Sequence, residues 1–342
     1  PPPPLFIFTQ KTAYELMPSL VGSEMCIRDR PMMRRVPEVL DCWFESGSMP
    51  FAQVHYPFEN KEWFEQHFPA DFITEYQAQT RGWFYLMIVM STALFDKPPF
   101  MNCLCHGVVL AEDGKKLSKR LRNYPDPEEV FETIGSDALR WYLVSSPVVR
   151  GGDLRIDRDG RGIADAVRLV INPIWNAWYF FALYANTDGI RAKLRSDSPQ
   201  LLDRYILAKT DELVRNLEHD LDRYELVAAC SRIVSHIDAL NNWYIRRSRP
   251  RFWKAEHDDD KQDAYDTLYT VLTTFTRVAA PFLPMIMEEI YGGLTHGDSV
   301  HLASWPNLDE LPEDPDLVSR MDQIREAAST ALHLREEAGL RV

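Results

Sequence analysis

Apolar positions recur with two periods along this chain, and the change of period divides it. Residues 71–76 and 102–111 are short β-type runs, each leading into a polar or glycine-bearing loop. Between them, residues 82–95 form a 14-residue apolar stretch, which predicts a buried helix and is too short to span a bilayer. Two successive strand-to-loop transitions point to a parallel α/β sheet with ligands beyond the carboxyl ends of its strands. Residues 128–133 and 136–144 predict two short helices, with Asp126 and Ser136 as caps and Gly135 as the stop between them. Residues 150–153, Arg-Gly-Gly-Asp, predict a linker.

Beyond that linker the period becomes helical. Long helices are expected over 164–185, 200–221, 225–255, 261–279 and 284–294, with a last amphipathic helix over 318–340 after a proline- and acid-rich linker at 306–315. In the second of these, Leu201, Tyr205, Ala208, Leu213, Leu217 and Leu221 form one apolar stripe. Pro250 is expected to kink or end the third. The first thirty residues show no such periodicity, and no charged head with a cleavage site marks a signal peptide. They resemble translated adapter sequence and are expected to be a non-native or disordered leader.

Bulk composition narrows the function classes. At 342 residues and 45% hydrophobic content the chain can form two domains with proper cores. Five cysteines without scaffold spacing fit a reducing cytosol, and a cytoplasmic protein without a membrane role is expected. A formal net charge of −13 excludes a protein that coats nucleic acid by charge alone, so polyanions must meet local patches. Two patches stand out. Lys115, Lys116, Lys119, Arg120 and Arg122 place five cations in eight residues, after an Asp113-Gly114 turn. Arg246, Arg247, Arg249, Arg251 and Lys254 form the second, with Trp243, Tyr244 and Phe252 interleaved. Read alone, the first patch is either a polyphosphate-binding loop or a solvated charge run. Cys103 and Cys105 beside His106 invite a zinc reading, but no second ligand pair follows, so buried structural thiols are expected.

Residues 116–120 (KLSKR) resemble the Lys-Met-Ser-Lys-Ser signature of the class I aminoacyl-tRNA synthetases, and the continuation LRNYPDP is similar to the isoleucyl-tRNA synthetases, of the actinobacterial type in detail. Four further blocks in order support the resemblance: residues 39–48 (VLDCWFESGS), 79–85 (QTRGWFY), 240–249 (LNNWYIRRSR) and 299–306 (SVHLASWP). The fold implied is α/β plus all-α: the second half of a class I nucleotide-binding, Rossmann-like fold followed by an antiparallel helical bundle. The segments implied are a leader (1–31), the second half of the catalytic domain (32–114), the signature loop with a stem-contact region (115–165), an anticodon-binding bundle (166–305), and a linker with the first helix of a further domain (306–342).

By the same resemblance, Lys116, Ser118 and Lys119 are the catalytic residues. The two lysines bind the ATP phosphates and stabilise charge on the departing pyrophosphate, and the Ser118 hydroxyl holds the loop. Glu75 and Gln79 match contacts to the aminoacyl-adenylate, while Trp43 and Trp83 match the walls of the isoleucine side-chain pocket. Arg246, Arg247, Arg249 and Arg251 are RNA-binding candidates. The implied activity is ATP-dependent isoleucine–tRNA ligation in the full-length enzyme. Its partners are isoleucine, ATP with Mg²⁺ and isoleucine tRNA, and a monomer is expected. No histidine-isoleucine-glycine-histidine signature and no editing domain occur in the chain, so it is expected to be an inactive C-terminal fragment with no metal site of its own. Whether the full-length protein holds zinc stays open. Two alternatives stay open: a non-catalytic tRNA-binding module, and a valyl or leucyl synthetase.

Overall fold

The computed structural model describes residues 41–340; the expected leader lies outside these. The described residues divide into two compact units, one of 41–72 with 78–102, the other of 73–77 with 103–340.

In the first unit, α1 (Cys42–Ala52) is capped by Asp41, whose carboxylate accepts the Trp43 N–H. Helix α2 (Lys61–His67) follows. Strand β1 (Ala70–Tyr76), whose residues from 73 on are counted with the second unit, leads through a 3₁₀ turn, Gln77–Arg81, into α3 (Trp83–Phe95) of the first. Phe64, Phe84, Met87 and Met90 are buried, and Tyr56, Phe64 and Phe68 close around Phe95 with ring centroids 5.0–5.8 Å from it. The expectation that α3 is wholly buried needs correction. Phe84, Met87, Met90 and Ser91 face the core, while Tyr85, Ile88, Val89 and Leu94 are exposed, because an all-apolar helix packed on one side leaves its other side uncovered.

Strand β2 (Phe100–His106) pairs with β1. The single strand expected over 102–111 is in fact two, β2 and β3 (Val109–Ala111). Gly107 causes the break. Its N–H donates to Val148 O at 2.7 Å, and a Cβ there would lie 1.9 Å from the Gly152 carbonyl oxygen, an approach only glycine permits. The chain thereby changes partner: β3 runs parallel to β4 (Leu154–Ile156), with Val109, Leu110 and Ala111 opposite Leu154, Arg155 and Ile156. The expected linker at 150–153 is therefore the turn that delivers β4.

Asp126 caps α4 (Pro127–Thr133) as expected, accepting the Glu128 N–H at 3.0 Å. The residue before α5 (Ser136–Val144) is Gly135, and Ser136 is already helical. The adjoining Asp137 is buried and accepts backbone N–H groups from Met285 and Ile286, so it caps a distant helix.

The helices of this second unit are α6 (Arg161–Ala166), α7 (Asn172–Asp188), α8 (Leu201–Asp222), α9 (Leu226–Asp238), α10 (Arg246–Trp253), α11 (Asp259–Ala279), α12 (Pro284–Thr295) and α13 (Pro315–Glu337). Two π-helical segments, Val167–Ile171 and Ala239–Ile245, join α6 to α7 and α9 to α10, where the sequence predicts unbroken α-helix. Pro250 sits inside α10, which ends at Trp253, one turn later. The expected linker at 306–315 holds a 3₁₀ turn, Leu308–Glu310, and buries Leu311. Helix α8 is central, packed against α9, α11 and α13. Of its expected stripe, Tyr205, Ala208, Leu213 and Leu217 are buried and Leu201 is exposed.

Charge is buried here as well as oil. Asp203 is 0% exposed and accepts hydrogen bonds from both Nη atoms of Arg251 at 2.6 and 2.9 Å, from Tyr244 and from Ser198. Lys209, Tyr205 and Arg325 converge on Asp322, and Lys261 and Tyr265 on Asp188. Removing one partner from such a pair typically costs about 3–5 kcal/mol, because the other charge is left buried and uncompensated.

His236 is buried with neither ring nitrogen hydrogen-bonded, stacked on Phe275 at 5.7 Å. Burial, with Lys209 and Arg325 nearby, pushes its pKa down to about 3. A base depressed in the folded state binds its proton more readily when unfolded, so its stability contribution is present above about pH 6.5 and lost as pH falls toward 3. Between pH 7 and pH 5 this group alone should remove about 2 kcal/mol. Urea unfolding of the wild type and His236→Leu at both pH values is expected to show that difference in pH dependence.

Candidate active-site loop and candidate nucleic-acid interface

The lysine loop belongs to the second unit and hangs from β3. Ala111 N donates to Lys115 O and Gly114 N to Ala111 O, at 2.8 Å each, and Gly114 takes φ +78°, which closes the turn without Cβ strain. Lys116 forms a β-bridge back to Leu110, and Leu117 packs against the helical core. The hydroxyl of Ser118, expected to hold the loop, only reaches Leu121 N at 3.4 Å. Asn123 does the holding: its Oδ1 accepts the Ser118 N–H at 2.8 Å and its Nδ2 donates to Lys116 O at 3.2 Å. Sequence reasoning passed over Asn123, although an asparagine closing a turn before Tyr-Pro is a recognisable signal.

The three lysines differ. Lys115 pairs with Asp113 at 2.9 Å; hydrogen bonding to that carboxylate raises its pKa and lowers that of Asp113. Lys116 and Lys119 are exposed and, among the described residues, make no ion pair. Beside the loop lies an open groove of about 740 Å³ lined by Lys119, Arg122, Tyr124, Asp126, Glu128 and Arg158. Glu75, on β1 in the same unit, is half-buried.

The first unit gathers three of the expected substrate residues at the start of α3. Gln79 Oε1 accepts the Trp83 N–H at 3.1 Å, capping the helix. Trp83 Nε1 donates to Ser46 O at 3.0 Å. A Cβ on Gly82 would meet Gln79 Oε1 at 2.8 Å and the Trp43 ring at 3.4 Å. Trp43 is 42% exposed and Trp83 half-buried, so one indole is pinned and the other presents a face to solvent.

On α10, Arg246, Arg247 and Arg249 are exposed. The Arg247 guanidinium lies 3.3 Å from the Trp243 ring centroid and that of Arg249 6.0 Å from the exposed Trp253. Desolvation and then the charge of Arg246 lower the pKa of Arg247. Arg251 is removed from the RNA-binding candidates, because its guanidinium is committed to buried Asp203. Lys254 is likewise engaged by Asp258 and Asp260. The Cys103 side chain, expected to be buried, is exposed, and Cys105 is half-buried.

Two family models match the chain. The one described as tRNA synthetases class I (I, L, M and V) covers residues 10–157, and the anticodon-binding domain of tRNA ligase covers 203–341. The chain belongs to the class I aminoacyl-tRNA synthetases. Within that class its sequence relatives are isoleucine–tRNA ligases: that of Leifsonia xyli is 56% identical over 92% of this chain, that of Nocardia farcinica 56% over 92%, and that of Wolbachia pipientis 53% over 92%. The chain spans 28–29% of the length of these relatives. Solved structures share the fold. A ternary complex of LeuRS, tRNA and LeuAMS from Agrobacterium radiobacter K84 aligns with TM-score 0.66 at 20% identity, over 83% of this chain and 34% of that one. Methionyl-tRNA synthetase of Mycobacterium tuberculosis with methionyl-adenylate aligns with TM-score 0.59 at 20% identity, over 70% and 47%.

Breaking the Asn123 clasp should loosen the loop without unfolding the chain. Asn123→Ala is expected to speed tryptic cleavage after Lys119 and Arg120 several-fold, while the urea midpoint moves by no more than about 1 kcal/mol equivalent.

Proposed function

We propose that this chain is part of an isoleucine–tRNA ligase, in which isoleucine and ATP form isoleucyl-adenylate and the amino acid then passes to isoleucine tRNA. The observation that carries the reading is the division of labour in the lysine loop. Asp113 neutralises Lys115, while Asn123 and β3 hold the backbone and leave the Lys116 and Lys119 ammonium groups unpaired at its edge. Two mobile cations on a fixed loop suit a triphosphate whose charge migrates toward pyrophosphate as a carboxylate oxygen attacks the α-phosphorus. The bond formed joins that oxygen to phosphorus, and the bond broken releases pyrophosphate. Mg²⁺ belongs to this reading as the companion of ATP, carried on the nucleotide phosphates.

In the first unit Trp43, Trp83 and Gln79 are assigned to the amino acid, and in the second, by the resemblance, Glu75 is assigned to its ammonium group. A carboxylate such as Glu75 gives a charge-assisted bond to an α-ammonium group, and an indole wall excludes bulk while discriminating poorly against the loss of one methylene. The expected domain limits and an antiparallel order in the bundle belong to this reading, as do a monomer and a cytoplasmic location. For the described residues, no helix is long and apolar enough to cross a membrane.

Isoleucine-dependent pyrophosphate exchange by the full-length protein tests the catalytic assignment. Lys119→Ala should lower the exchange rate by about 100-fold or more with the fold intact, and unchanged exchange would remove the loop from the mechanism. RNA binding is tested on this chain by gel shift with isoleucine tRNA and an unrelated tRNA. Arg246→Ala and Arg249→Ala should each weaken binding and lower the slope of log affinity against log salt by about 1. Binding of both tRNAs with equal affinity would leave only charge attraction.

A further inference from the structure

Cys103 and Cys105 occupy alternate positions of β2 and therefore one face of the strand. Their sulfurs are 3.7 Å apart and in hydrogen-bond contact, and both thiols are free. Two sulfurs at the edge of a zinc tetrahedron stand about 3.8 Å apart, from Zn–S distances of about 2.3 Å, so the spacing is right for a soft centre. The donor number is not. Among the described residues no third or fourth ligand joins them, and His106, next along the strand, faces the other way, with Nδ1 2.8 Å from Gly107 O. A metal ion would be left half-coordinated. A soft centre that carries its own remaining substituent needs only these two sulfurs.

We infer that Cys103 and Cys105 form a dithiol modification site that closes on monosubstituted trivalent arsenicals. In the condensation, an arsenical R–As(OH)₂ exchanges two As–O bonds for two As–S bonds. The two thiol protons leave with the two hydroxyls as water, and arsenic stays trivalent throughout, so no oxidant or reductant is required. Exposure of Cys103 provides the entrance, and the strand holds the second thiol in place for ring closure, which makes the second bond effectively intramolecular. Although the residue is exposed overall, partial desolvation of its sulfur first, and then the adjoining Cys105 thiol, push the Cys103 pKa up to about 11, so reagents that need a thiolate react slowly there near neutral pH. Arsenic condensation accepts the protonated thiol.

The test uses phenylarsine oxide on the purified native chain under reducing conditions. One phenylarsenic group per chain and the loss of two titratable thiols are expected by intact mass and thiol titration. Peptide mapping should place the bridge between Cys103 and Cys105. The adduct should survive excess glutathione and be reversed by 2,3-dimercaptopropanol. Cys103→Ser and Cys105→Ser should each abolish the glutathione-resistant adduct, with Cys105→Ala as the second variant should the serine disturb the half-buried position, while Cys42→Ser should leave it unchanged. A resistant adduct that persists in Cys103→Ser, that maps to other cysteines, or that forms only after denaturation in urea would overturn the inference.

Discussion

The Asp203 carboxylate, fully out of water, is the constraint on which the helical unit turns. An isolated charge in such a place is prohibitive, so the fold is required to bring Arg251, Tyr244 and Ser198 to it. Meeting that requirement sets the rotation of α10. At 100° per residue, Ser248, Arg251 and Phe252 fall on one side of the helix, and Arg246, Arg249 and Trp253 on the opposite side. The first set is buried or half-buried and the second exposed. The exposed basic face of α10 is thus a consequence of where its inward arginine must point.

That phase was not legible in a run of basic residues. Counting arginines across 246–251 treats them as equivalent, and a helix makes them inequivalent; the acid that takes Arg251 lies 48 positions earlier. Similar non-local causes lie behind other departures. The break at Gly107 depends on the carbonyl of Gly152, and the capping role of Asp137 depends on α12. Each partner is remote in sequence, and periodicity reports only local pattern. The π segments before α7 and α10 leave the apolar spacing almost undisturbed, so the helical reading ran through both. Where causes were local the reading was sound: Asp126 caps α4, the Asp113-Gly114 turn closes after β3, and the long helical patterns match α8, α11, α12 and α13 within a few residues.

The lysine loop shows which part of a site a motif can disclose. Resemblance pointed to Lys116 and Lys119, and an Asp-Gly turn after an apolar run pointed to a loop anchored on a strand. The selection among the three lysines came from geometry. Asp113 is close enough to occupy Lys115 and leaves the next ammonium free, while an asparagine four residues beyond Lys119 holds the backbone that carries both. Charge-run counting weighs all five cations alike, and the fold assigns them different tasks.

A net charge of −13 sets up a long-range repulsion toward any polyanion, and α10 shows how short-range chemistry can offset it. At physiological salt, exposed charges farther apart than about 8 Å are largely screened, so distant carboxylates count for little at a phosphate in contact with Arg246 or Arg249. The acids that meet the inward cations are paired: Asp203 and Asp260 with Arg251, Asp258 with Lys254. The two inward cations therefore do more than fill a core. While they neutralise those carboxylates, Arg246, Arg247 and Arg249 stay exposed and, among the described residues, make no ion pair, with Arg247 over Trp243 and Arg249 over Trp253.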